Sequence, residues 1–385
     1  MTNVRFFQTT PRIVMGPGSL GQAPSEIKRM DARRVAIVTD PGLVATGIVS
    51  RLEDLLKAEG VSVSRFDSVE SDPRYQIAVQ AGEFAKSCGA EAIVGIGGGS
   101  ALDIAKTASA LVTNDGHVES YFGIDLLKHP GLPFMLIPTT AGTGSEVTPI
   151  AILSDEGEKL KKGIVSPYLF PRVAILDPEL TRGLPPHITA ATGMDALIHA
   201  VEAFTSKNAT GMTDMLAVEA MTLIHENIRK AFSDGENIDA RSRMLEGSML
   251  AGMAFANAGV TAVHAFAYPI GAEFHIPHGV ANSIMLVPVM EFNMLANFAK
   301  FAVMAEVFGA PLDGLSEREA AYEAIEALRD LSDDLRLPTR LSEFGVKESD
   351  IPSLAQGVMK VTRLLANNPR QLTLADAENI YRQVL

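Results

Sequence analysis

The chain has 385 residues, of which 47% are hydrophobic and 21% charged, and its formal net charge is -13. This composition is typical of a soluble globular protein with enough residues for two domains, and it excludes a disordered chain. The negative charge would repel a nucleic acid or an anionic membrane, so neither is expected as a partner. Cys88 is the single cysteine, which excludes an internal disulfide and fits a reducing compartment.

The beginning of the chain predicts no export. Its first ten residues lack the long apolar core of a secretion signal. No uncharged apolar run reaches the length of a membrane span. We therefore expect a cytoplasmic protein.

The first half of the chain alternates β-branched runs with helical patterns. The predicted strands are Val35–Thr39, Val61–Phe66, Ala92–Ile96, Phe134–Ile137 and Val173–Leu176. Helices are predicted at Ile48–Glu59, at Tyr75–Ser87 and from Ser100 onward, and Asp40-Pro41-Gly42 reads as a turn. Strands joined by helices of this length predict right-handed βαβ units and a parallel, Rossmann-like sheet covered on both faces.

The second half is rich in Ala, Met, Leu and Glu, and its strand signals fade. Helices are predicted at Leu216–Phe232, Ala240–Ala256, Glu317–Arg329 and Ala375–Leu385. We expect an α/β domain over residues 1–184 and an all-helical domain over residues 185–385.

A glycine-rich segment stands between a predicted strand and a predicted helix. Gly97, Gly98 and Gly99 precede Ser100, and Asp103 follows one turn later. Glycines let the backbone approach a phosphate, and a helix N-terminus offers free N–H groups. The segment also fits a tight turn in which Ser100 caps the helix and Asp103 completes a capping box. The two interpretations are compatible.

A second loop rich in hydroxyls and glycines directly follows the strand at Phe134–Ile137. It contains Thr139, Thr140 and Thr143 and is suited to bind ribose and diphosphate, although it also fits an ordinary polar loop. Ligands of parallel sheets sit beyond the carboxyl ends of the strands. We therefore expect Asp40, Gly97 and Thr139 to lie along one edge.

Asp40 bears on the choice of nucleotide. A carboxylate at a strand end accepts hydrogen bonds from a ribose diol and repels a 2′-phosphate. The same carboxylate could instead only cap the turn that it begins. The sequence leaves both interpretations open.

Two segments of the second half predict a metal site. Asp195 and His199 are four residues apart in GMDALIHAVE, which we interpret as the start of a helix, so both side chains share one helical face. Such a pair can bind one divalent cation, but alone it more often forms a surface hydrogen bond. A later apolar segment holds three of the eight histidines, His264, His275 and His278.

These segments together resemble the iron-containing (group III) alcohol dehydrogenase family, most closely its lactaldehyde reductase/propanediol oxidoreductase type. The resemblance rests on Asp195 and His199, on His264, on His278 in a P-H-G segment, on the glycine loop, on PTTAGTGSE at 138–146, on AILDP at 174–178 and on NPR at 368–370. These motifs occur in the same order and cover the whole chain.

The resemblance implies the dehydroquinate synthase-like/iron alcohol dehydrogenase architecture and a set of site residues. The implied metal ligands are Asp195, His199, His264 and His278. The implied cofactor contacts are Asp40, Gly97, Gly98, Gly99, Ser100, Asp103, Thr139, Thr140, Thr143 and Lys162.

The chain departs from the family at Tyr268, where many relatives have a histidine. Any proton relay through that position must differ here. His275 is the other candidate for proton transfer, but it also fits a core histidine or one that supports a ligand. We name Tyr268 and His275 as the candidate catalytic residues.

The implied chemistry is an alcohol dehydrogenase or aldehyde reductase reaction with NAD(H). Three neutral imidazoles and one carboxylate leave a divalent cation with a charge of +1, which favours an ionised alcohol or a polarised carbonyl. Mixed N/O ligation suits Fe²⁺ or Zn²⁺, and the resemblance favours Fe²⁺. A lyase of the dehydroquinate synthase type and a non-catalytic metal-binding protein are the alternatives.

The expected substrate is a small, uncharged alcohol or aldehyde, because Ile150, Phe255 and Phe266 suggest an apolar pocket. The resemblance suggests a homodimer or a larger homo-oligomer.

Overall fold

The computed structural model describes residues 4–158 and 160–385. The chain forms two compact units, Gln8–Gly183 and Leu184–Leu385, and residues 4–7 cluster with the second of them. The first unit is α/β and the second is helical, which confirms the predicted fold class.

The first unit is built on a six-stranded sheet in which all neighbouring strands are parallel. Its strands, given in chain order, are Ile13–Met15 (β1), Arg34–Val38 (β2), Ser62–Phe66 (β3), Ala92–Gly97 (β4), Phe134–Pro138 (β6) and Val173–Leu176 (β9). The spatial order is β1-β9-β6-β4-β2-β3. The chain proceeds from β2 to β3 on one side and returns to β4 on the other, so β2 and β4 flank the topological switch point.

Five helices cover this sheet: Ala23–Arg29 (α1), Pro41–Ala45 (α2), Ile48–Ala58 (α3), Tyr75–Ser87 (α4) and Gly99–Thr113 (α5). Alternate residues of β2 belong to two different apolar clusters. Ala36 and Val38 pack with residues of α4 and α5, whereas Val35 and Ile37 pack with residues of α1 and α3. The sheet is therefore buried on both faces, as the apolar strands predicted.

The sequence did not predict four strands. β1 is only three residues long, and Gly123–Ile124 (β5), Ile150–Asp155 (β7) and Leu160–Val165 (β8) form a separate sheet in the order β5-β8-β7. β7 and β8 pair antiparallel. Partial exposure along β8 explains its weak signal, because its sequence LKKGIV has no clear alternation.

The second unit consists of ten helices within the described residues: Pro186–Thr205 (α6), Gly211–Ser233 (α7), Ile238–Ala258 (α8), Ala262–Phe274 (α9), His278–Met294 (α10), Phe298–Val307 (α11), Glu317–Asp334 (α12), Ile351–Lys360 (α13), Thr362–Leu365 (α14) and Leu374–Gln383 (α15). α6 is the core helix, since each residue from Gly193 to Thr205 is buried. It packs against α7, α8 and α10.

No single helix within the described residues is long and apolar enough to cross a membrane. Taken together, the consecutive helices Ile238–Ala258 and Ala262–Phe274 have the length and composition of a membrane span, but they are bent by 102° relative to each other.

Candidate metal centre and dinucleotide-binding edge

α6 carries the first two candidate metal ligands. The helix begins at Pro186, so the Asp195–His199 motif lies in its interior, and the interpretation of this motif as a helix start was wrong. Proline is well suited to a first helical turn, and the small residues after it continue the helix. Both side chains are buried, with 3% and 5% of their surface exposed. Such burial excludes the surface hydrogen bond that the spacing alone allowed.

α9 and α10 bring two histidines to the same place. The ligand atoms of Asp195, His199 and His264 lie within 4.8 Å of one another. Nε2 of His264 and Nε2 of His278 are each 3.8 Å from Oδ1 of Asp195. His278 is the most accessible of the four, with 28% of its side chain exposed. The chain thus gathers one carboxylate and three imidazoles from three helices.

This set of donor atoms fits a transition-metal ion. Two ligands at about 2.1 Å from a tetrahedral ion are about 3.4 Å apart. The separations here are 3.8 Å from Asp195 to each of two imidazoles and at most 4.8 Å within the buried group of three. Nδ2 of Asn282 donates to Oδ1 of Asp195 at 2.7 Å and lies 3.2 Å from Nε2 of both His264 and His278. The nitrogens and the carboxylate oxygen therefore converge on one small region.

Aromatic contacts hold the imidazoles in place. The ring of His199 stacks on Phe255 with centroids 4.3 Å apart and on His264 at 4.7 Å. Phe255 therefore shields one face of a candidate ligand. Phe266 does not line the site, contrary to our prediction, because it is fully buried against Tyr381.

The electrostatics of the cluster favour an ionised carboxylate. Burial raises the pKa of Asp195, but the imidazoles of His199, His278 and His264 outweigh this effect and the pKa is lowered. Burial lowers the pKa of His264, whereas Glu202 and Asp195 raise it and prevail. The positive charge of Arg363 has a smaller effect and lowers the pKa of His264.

Sequence reasoning missed two residues that contact the candidate ligands. Glu202 accepts a hydrogen bond from Nδ1 of His264, and Asn282 contacts three of the four candidate ligands. Their spacing from the candidate ligands in the sequence could have indicated both residues. Glu202 follows Asp195 by seven residues and Asn282 follows His278 by four, which places each on the same helical face as a candidate ligand.

The two candidate catalytic residues lie in different surroundings. Tyr268 is 9% exposed, one turn after His264, and its ring centroid is 6.2 Å from that of His278. His275 is exposed at the end of α9, in the left-handed conformation with φ 54°. Exposure excludes the core role for His275. No hydrogen bond, ion pair or ring contact joins it to the four candidate ligands within the described residues.

The candidate cofactor residues of the first unit meet at the carboxyl edge of the sheet. Asp40, Gly97 and Thr139 follow or end the adjacent strands β2, β4 and β6. The N–H of Thr139 donates to the carbonyl of Gly97 at 3.0 Å, which joins the two loops. The predicted common edge is therefore present, beside the topological switch point.

The glycine loop, residues 97–99, is shaped by contact with the loop that follows β6, residues 139–145, here called the threonine loop. A Cβ on Gly99 would lie 2.5 Å from Cγ2 of Thr143, and one on Gly98 would lie 3.8 Å from Thr140. Gly97 has φ 149°, which other residues rarely adopt. The N-cap residue of α5, Gly98, has no side chain that could cap the helix, so the N–H groups of the first turn, including that of Ser100, suit a diphosphate.

Ser100 is not the cap of this helix, contrary to one of our interpretations. α5 begins at Gly99 with Gly98 as its N-cap, so Ser100 lies inside the first turn. Asp103 forms no capping box either. Its carboxylate accepts the hydroxyl of Ser145 at 2.6 Å and the N–H of Ile152 at 2.9 Å, which joins α5 to the threonine loop and to β7.

Asp40 takes one of the two roles considered for it, that of a cap, and its role towards a ribose stays a prediction. Its Oδ1 accepts the N–H of Leu43 at 2.9 Å and so caps α2. Its Oδ2 faces the glycine loop, since a Cβ on Gly97 would lie 3.2 Å from it.

Lys162 lies on β8, where its ammonium pairs with Asp155 at 2.8 Å and Glu158 at 2.9 Å.

Two buried charged groups lie next to the threonine loop. Lys106 is fully buried and donates to the carbonyl of Ile150 and to the carbonyl and hydroxyl of Thr148. Burial lowers its pKa to about 8, although Asp103 and Glu146 act in the opposite direction. Burial raises the pKa of Glu146 to about 7. Oε1 of Glu146 has no hydrogen-bond partner within the described residues.

Glu146 is expected to make stability depend on pH. Its pKa in the folded protein is above the ordinary value of 4.5, so the folded state binds more protons between pH 4.5 and 7. The contribution of Glu146 to the free energy of unfolding should therefore be present below this window and fall as pH rises through it. In Glu146→Gln the free energy of unfolding should not decrease in this way. The variant should therefore be about 2–3 kcal/mol more stable than the parent protein near pH 7.5.

Denaturant unfolding at pH 5 and 7.5 measures this difference. Glu156→Gln, which alters an exposed carboxylate of the same unit, is the control and should follow the parent protein. A parallel pH dependence in the Glu146 variant and its parent would contradict the prediction.

Comparison with known proteins assigns the family. The model of the iron-containing alcohol dehydrogenases matches residues 10–178, and the model of the C-terminal region of the Fe-containing alcohol dehydrogenase family matches residues 189–385. Together these matches span nearly the whole chain.

Individual relatives agree with this assignment. The chain is 43% identical to a sulfoacetaldehyde reductase of Bilophila wadsworthia (strain 3_1_6) over 94% of either protein. A crystal structure of 1,3-propanediol oxidoreductase, 38% identical, superposes with a TM-score of 0.97 and full coverage of both chains. A sulfoacetaldehyde reductase from Bifidobacterium kashiwanohense in complex with NAD+, 29% identical, superposes with a TM-score of 0.87 over 99% of each chain.

These matches confirm the resemblance deduced from the motifs. The chain belongs to the iron-containing alcohol dehydrogenase family, and it is a metal-dependent alcohol dehydrogenase or aldehyde reductase of NAD(H).

Proposed function

We propose that this protein transfers a hydride between NAD(H) and a short alcohol or aldehyde, with iron bound by Asp195, His199, His264 and His278. The observation that carries the proposal is the convergence of three buried donor atoms within 4.8 Å, with His278 next to the same carboxylate. A divalent ion bound there would supply a Lewis acid that acidifies an alcohol and polarises a carbonyl. These four residues would hold the ion.

The donor set favours a transition metal over Mg²⁺, because imidazole nitrogens suit iron or zinc. Iron is the natural assignment in this family, and Zn²⁺ remains the alternative. Metal analysis of protein expressed in medium with iron, and separately with zinc, followed by kinetics of each form, distinguishes them. Higher turnover with zinc would contradict the choice of iron.

Two other functions fit parts of the site less well. A lyase of the dehydroquinate synthase type needs several basic residues for a phosphorylated, polyhydroxylated substrate, whereas the ligand-bearing segments 192–202 and 261–279 contain no Lys or Arg. A purely structural metal site would close all four positions with cysteines or histidines. Cys88 lies on the other unit, and an aspartate is among the candidate ligands.

A substrate screen tests the proposed reaction. Short alcohols and aldehydes are assayed with NAD⁺ or NADH on protein of known iron content. An aldehyde bearing a sulfonate belongs in the screen, because a relative is named for such a substrate. If only the anionic aldehyde is turned over, the proposal of an uncharged substrate is wrong. If none of the compounds is turned over with NAD(H), the proposed function is refuted.

The dinucleotide is proposed to bind at the carboxyl edge of the first unit. Gly97, Gly98, Gly99 and Ser100 would face its diphosphate, and Thr139, Thr140 and Thr143 would supply hydroxyls. The close contact between Gly99 and Thr143 supports this arrangement, because larger side chains would separate the loops. Asp103 would act through the hydrogen bonds that hold the threonine loop, and Lys162 would contribute its ammonium from β8.

Asp40 is expected to set the preference for NAD(H) over NADP(H), because its carboxylate would repel a 2′-phosphate. Asp40→Asn removes the charge but keeps a side chain that caps α2 well. We expect this variant to shift the ratio of kcat/KM for the two cofactors towards NADP(H) by about tenfold, the effect of roughly 1.4 kcal/mol.

Asp40→Gly is expected to shift the ratio in the same direction, with an added loss of stability because the cap is removed. Steady-state kinetics with both cofactors measures the ratio. An unchanged ratio in Asp40→Asn would show that the carboxylate only caps the helix.

Tyr268 is proposed to orient a substrate oxygen or a water rather than to act as a base, since a phenol hydroxyl can donate a hydrogen bond to such an oxygen. Tyr268→Phe should therefore keep kcat within about tenfold of the parent value. A larger loss with iron still bound would identify the phenol as an essential catalytic group.

His275, exposed at the end of α9, is a proposed route for the proton to solvent, and His275→Ala tests it in the same assay.

We further propose that residues 1–184 serve as the dinucleotide-binding domain and residues 185–385 as the metal and substrate domain. The protein is proposed to be a cytoplasmic homodimer or larger homo-oligomer without nucleic-acid or membrane partners. Light scattering of purified protein tests the oligomer, and cell fractionation tests the location. A monomer or a membrane-associated protein would contradict these proposals.

A further inference from the structure

Glu202 lies on the same face of α6 as two of the candidate metal ligands. Asp195, His199 and Glu202 follow one another at intervals of four and three residues, so their side chains form one stripe along the helix. Glu202 is fully buried, with 0% of its surface exposed. A buried carboxylate is costly unless hydrogen bonds compensate it, which raises the question of its partners.

Both carboxylate oxygens of Glu202 are fully engaged. Oε1 accepts the N–H of Thr261 at 3.0 Å, the hydroxyl of Thr261 at 2.7 Å and the N–H of Val263 at 2.8 Å. Oε2 is hydrogen-bonded to Nδ1 of His264. Every one of these bonds joins α6 to the segment 261–264. Glu202 therefore links the helix that carries Asp195 and His199 to the segment that carries His264.

The bonds of Oε1 define where α9 begins. The N–H groups at a helix start have no partner within the helix and need an acceptor. The side chain of Thr261, the N-cap residue, does not cap this helix. Glu202 instead accepts the N–H groups of Thr261 and Val263 from another helix, while Asn368 accepts that of Ala262. Glu202 thereby helps to fix the first turn, which carries His264.

The bond of Oε2 selects one form of the imidazole. An ionised carboxylate only accepts hydrogen bonds, so Nδ1 of His264 must carry the proton. In a neutral imidazole the proton on one nitrogen leaves the other with its lone pair. Nε2 of His264 therefore presents its lone pair on the side of Asp195, whose Oδ1 is 3.8 Å away.

We infer that Glu202 is a positioning residue of the metal site, which acts through His264 and makes no contact with the metal. It holds the imidazole in the tautomer that can bind a metal through Nε2, and it fixes the helix start from which this side chain projects. The inference rests on the proposed role of His264 as a metal ligand.

Glutamine at position 202 separates the two roles of the carboxylate. Its amide has one oxygen and one NH₂ group, whereas the site demands an acceptor on both sides. If the oxygen faces Thr261 and Val263, the NH₂ faces Nδ1 of His264 and favours the tautomer with the proton on Nε2. If the amide is reversed, the NH₂ opposes three donors at the start of α9. Either orientation disturbs the ligand.

The test compares Glu202→Gln with Thr261→Val in the full-length protein, using Co²⁺ as a probe because its visible absorption reports ligation. Affinity for Co²⁺ and the midpoint of thermal unfolding are both measured. We expect Glu202→Gln to bind Co²⁺ about 10- to 100-fold more weakly than the parent. Thr261→Val removes one donor to Oε1 but leaves the bond to His264, so it should lower the unfolding midpoint and change Co²⁺ affinity less than about threefold.

Glu202→Asp provides a second variant that keeps the charge in case Glu202→Gln does not fold. Its shorter side chain cannot reach both Thr261 and His264, so we expect weaker Co²⁺ binding here too. Parent-like Co²⁺ affinity in the folded variants, with only a lower unfolding midpoint, would overturn the inference and leave Glu202 as a helix cap. Parent protein that binds no Co²⁺, or His264→Ala that binds it normally, would instead refute the proposed metal site.

Discussion

His199→Ala is expected to lose its metal and nearly all of its activity. His199 is buried between Phe255 and His264, and its ligand atom lies within the group of three that spans 4.8 Å. Removal of one of four ligands leaves a site with too few donors and a cavity in the aromatic stack. Because a bound metal ion contributes several kcal/mol of transition-state stabilisation, we expect kcat/KM to fall by about 1000-fold or more.

Iron content and steady-state kinetics of the same preparation measure this effect. His225→Ala is the matched control, since His225 is a partly buried histidine of α7 that packs against Phe308. It should keep its iron and most of its activity. Stoichiometric iron in His199→Ala would show that another residue is the ligand.

Removal of the metal from the parent protein gives a complementary result. A chelator should abolish turnover, and Fe²⁺ should restore it far better than Mg²⁺, which matches imidazole ligands poorly. His278→Ala should also abolish activity, because it removes another donor next to Asp195. Full turnover of metal-free protein would contradict the proposed site.

Gly279→Ala is expected to disrupt the metal site without any change to a ligand. Gly279 follows His278 in the first turn of α10, where a Cβ would lie 2.3 Å from the carbonyl oxygen of Ala191 and 2.8 Å from its carbon. Both obstructing atoms belong to the backbone of α6, so no side-chain rotation relieves the clash. The first turn of α10 must shift away from α6, and His278 shifts with it.

A displacement of about 1 Å can cost 100-fold in rate, so we expect at least this loss together with weaker metal binding. Gly271→Ala is the control: a Cβ there would lie 3.5 Å from the nearest atom, an ordinary contact. Iron content, activity and the unfolding midpoint are compared for both variants. Parent-like metal binding in Gly279→Ala would show that α6 and α10 can separate without moving His278.

Local sequence features were sufficient for most of the larger elements. Tyr75–Ser87 was predicted with the observed bounds, and the strands at 92 and 173 were placed within one residue. Their signals are periodicity, β-branched residues and terminal glycines, which depend on neighbours along the chain. The small sheet formed by β5, β7 and β8 escaped prediction, because pairing between distant segments determines whether such partly exposed strands form.

The candidate ligands could be named from the sequence because Asp195, His199, His264 and His278 stand in short motifs that resemble a known family. The motifs do not show how the side chains are oriented. Only the packing of α6 against the start of α9 reveals that Glu202 holds His264. Likewise, only the fold shows that Asp103 holds the threonine loop instead of completing a capping box.

The sequence by itself thus determined the fold class, the family and the residue types available for chemistry, since each is encoded in composition, periodicity and local motifs. The tertiary structure decided which of these residues meet. Phe266 packs into the core whereas Phe255 stacks on His199, although both are apolar residues near candidate ligands in the sequence. The physical reason is that hydrogen bonds and ring contacts between distant segments depend on helix packing, which no local pattern of residues encodes.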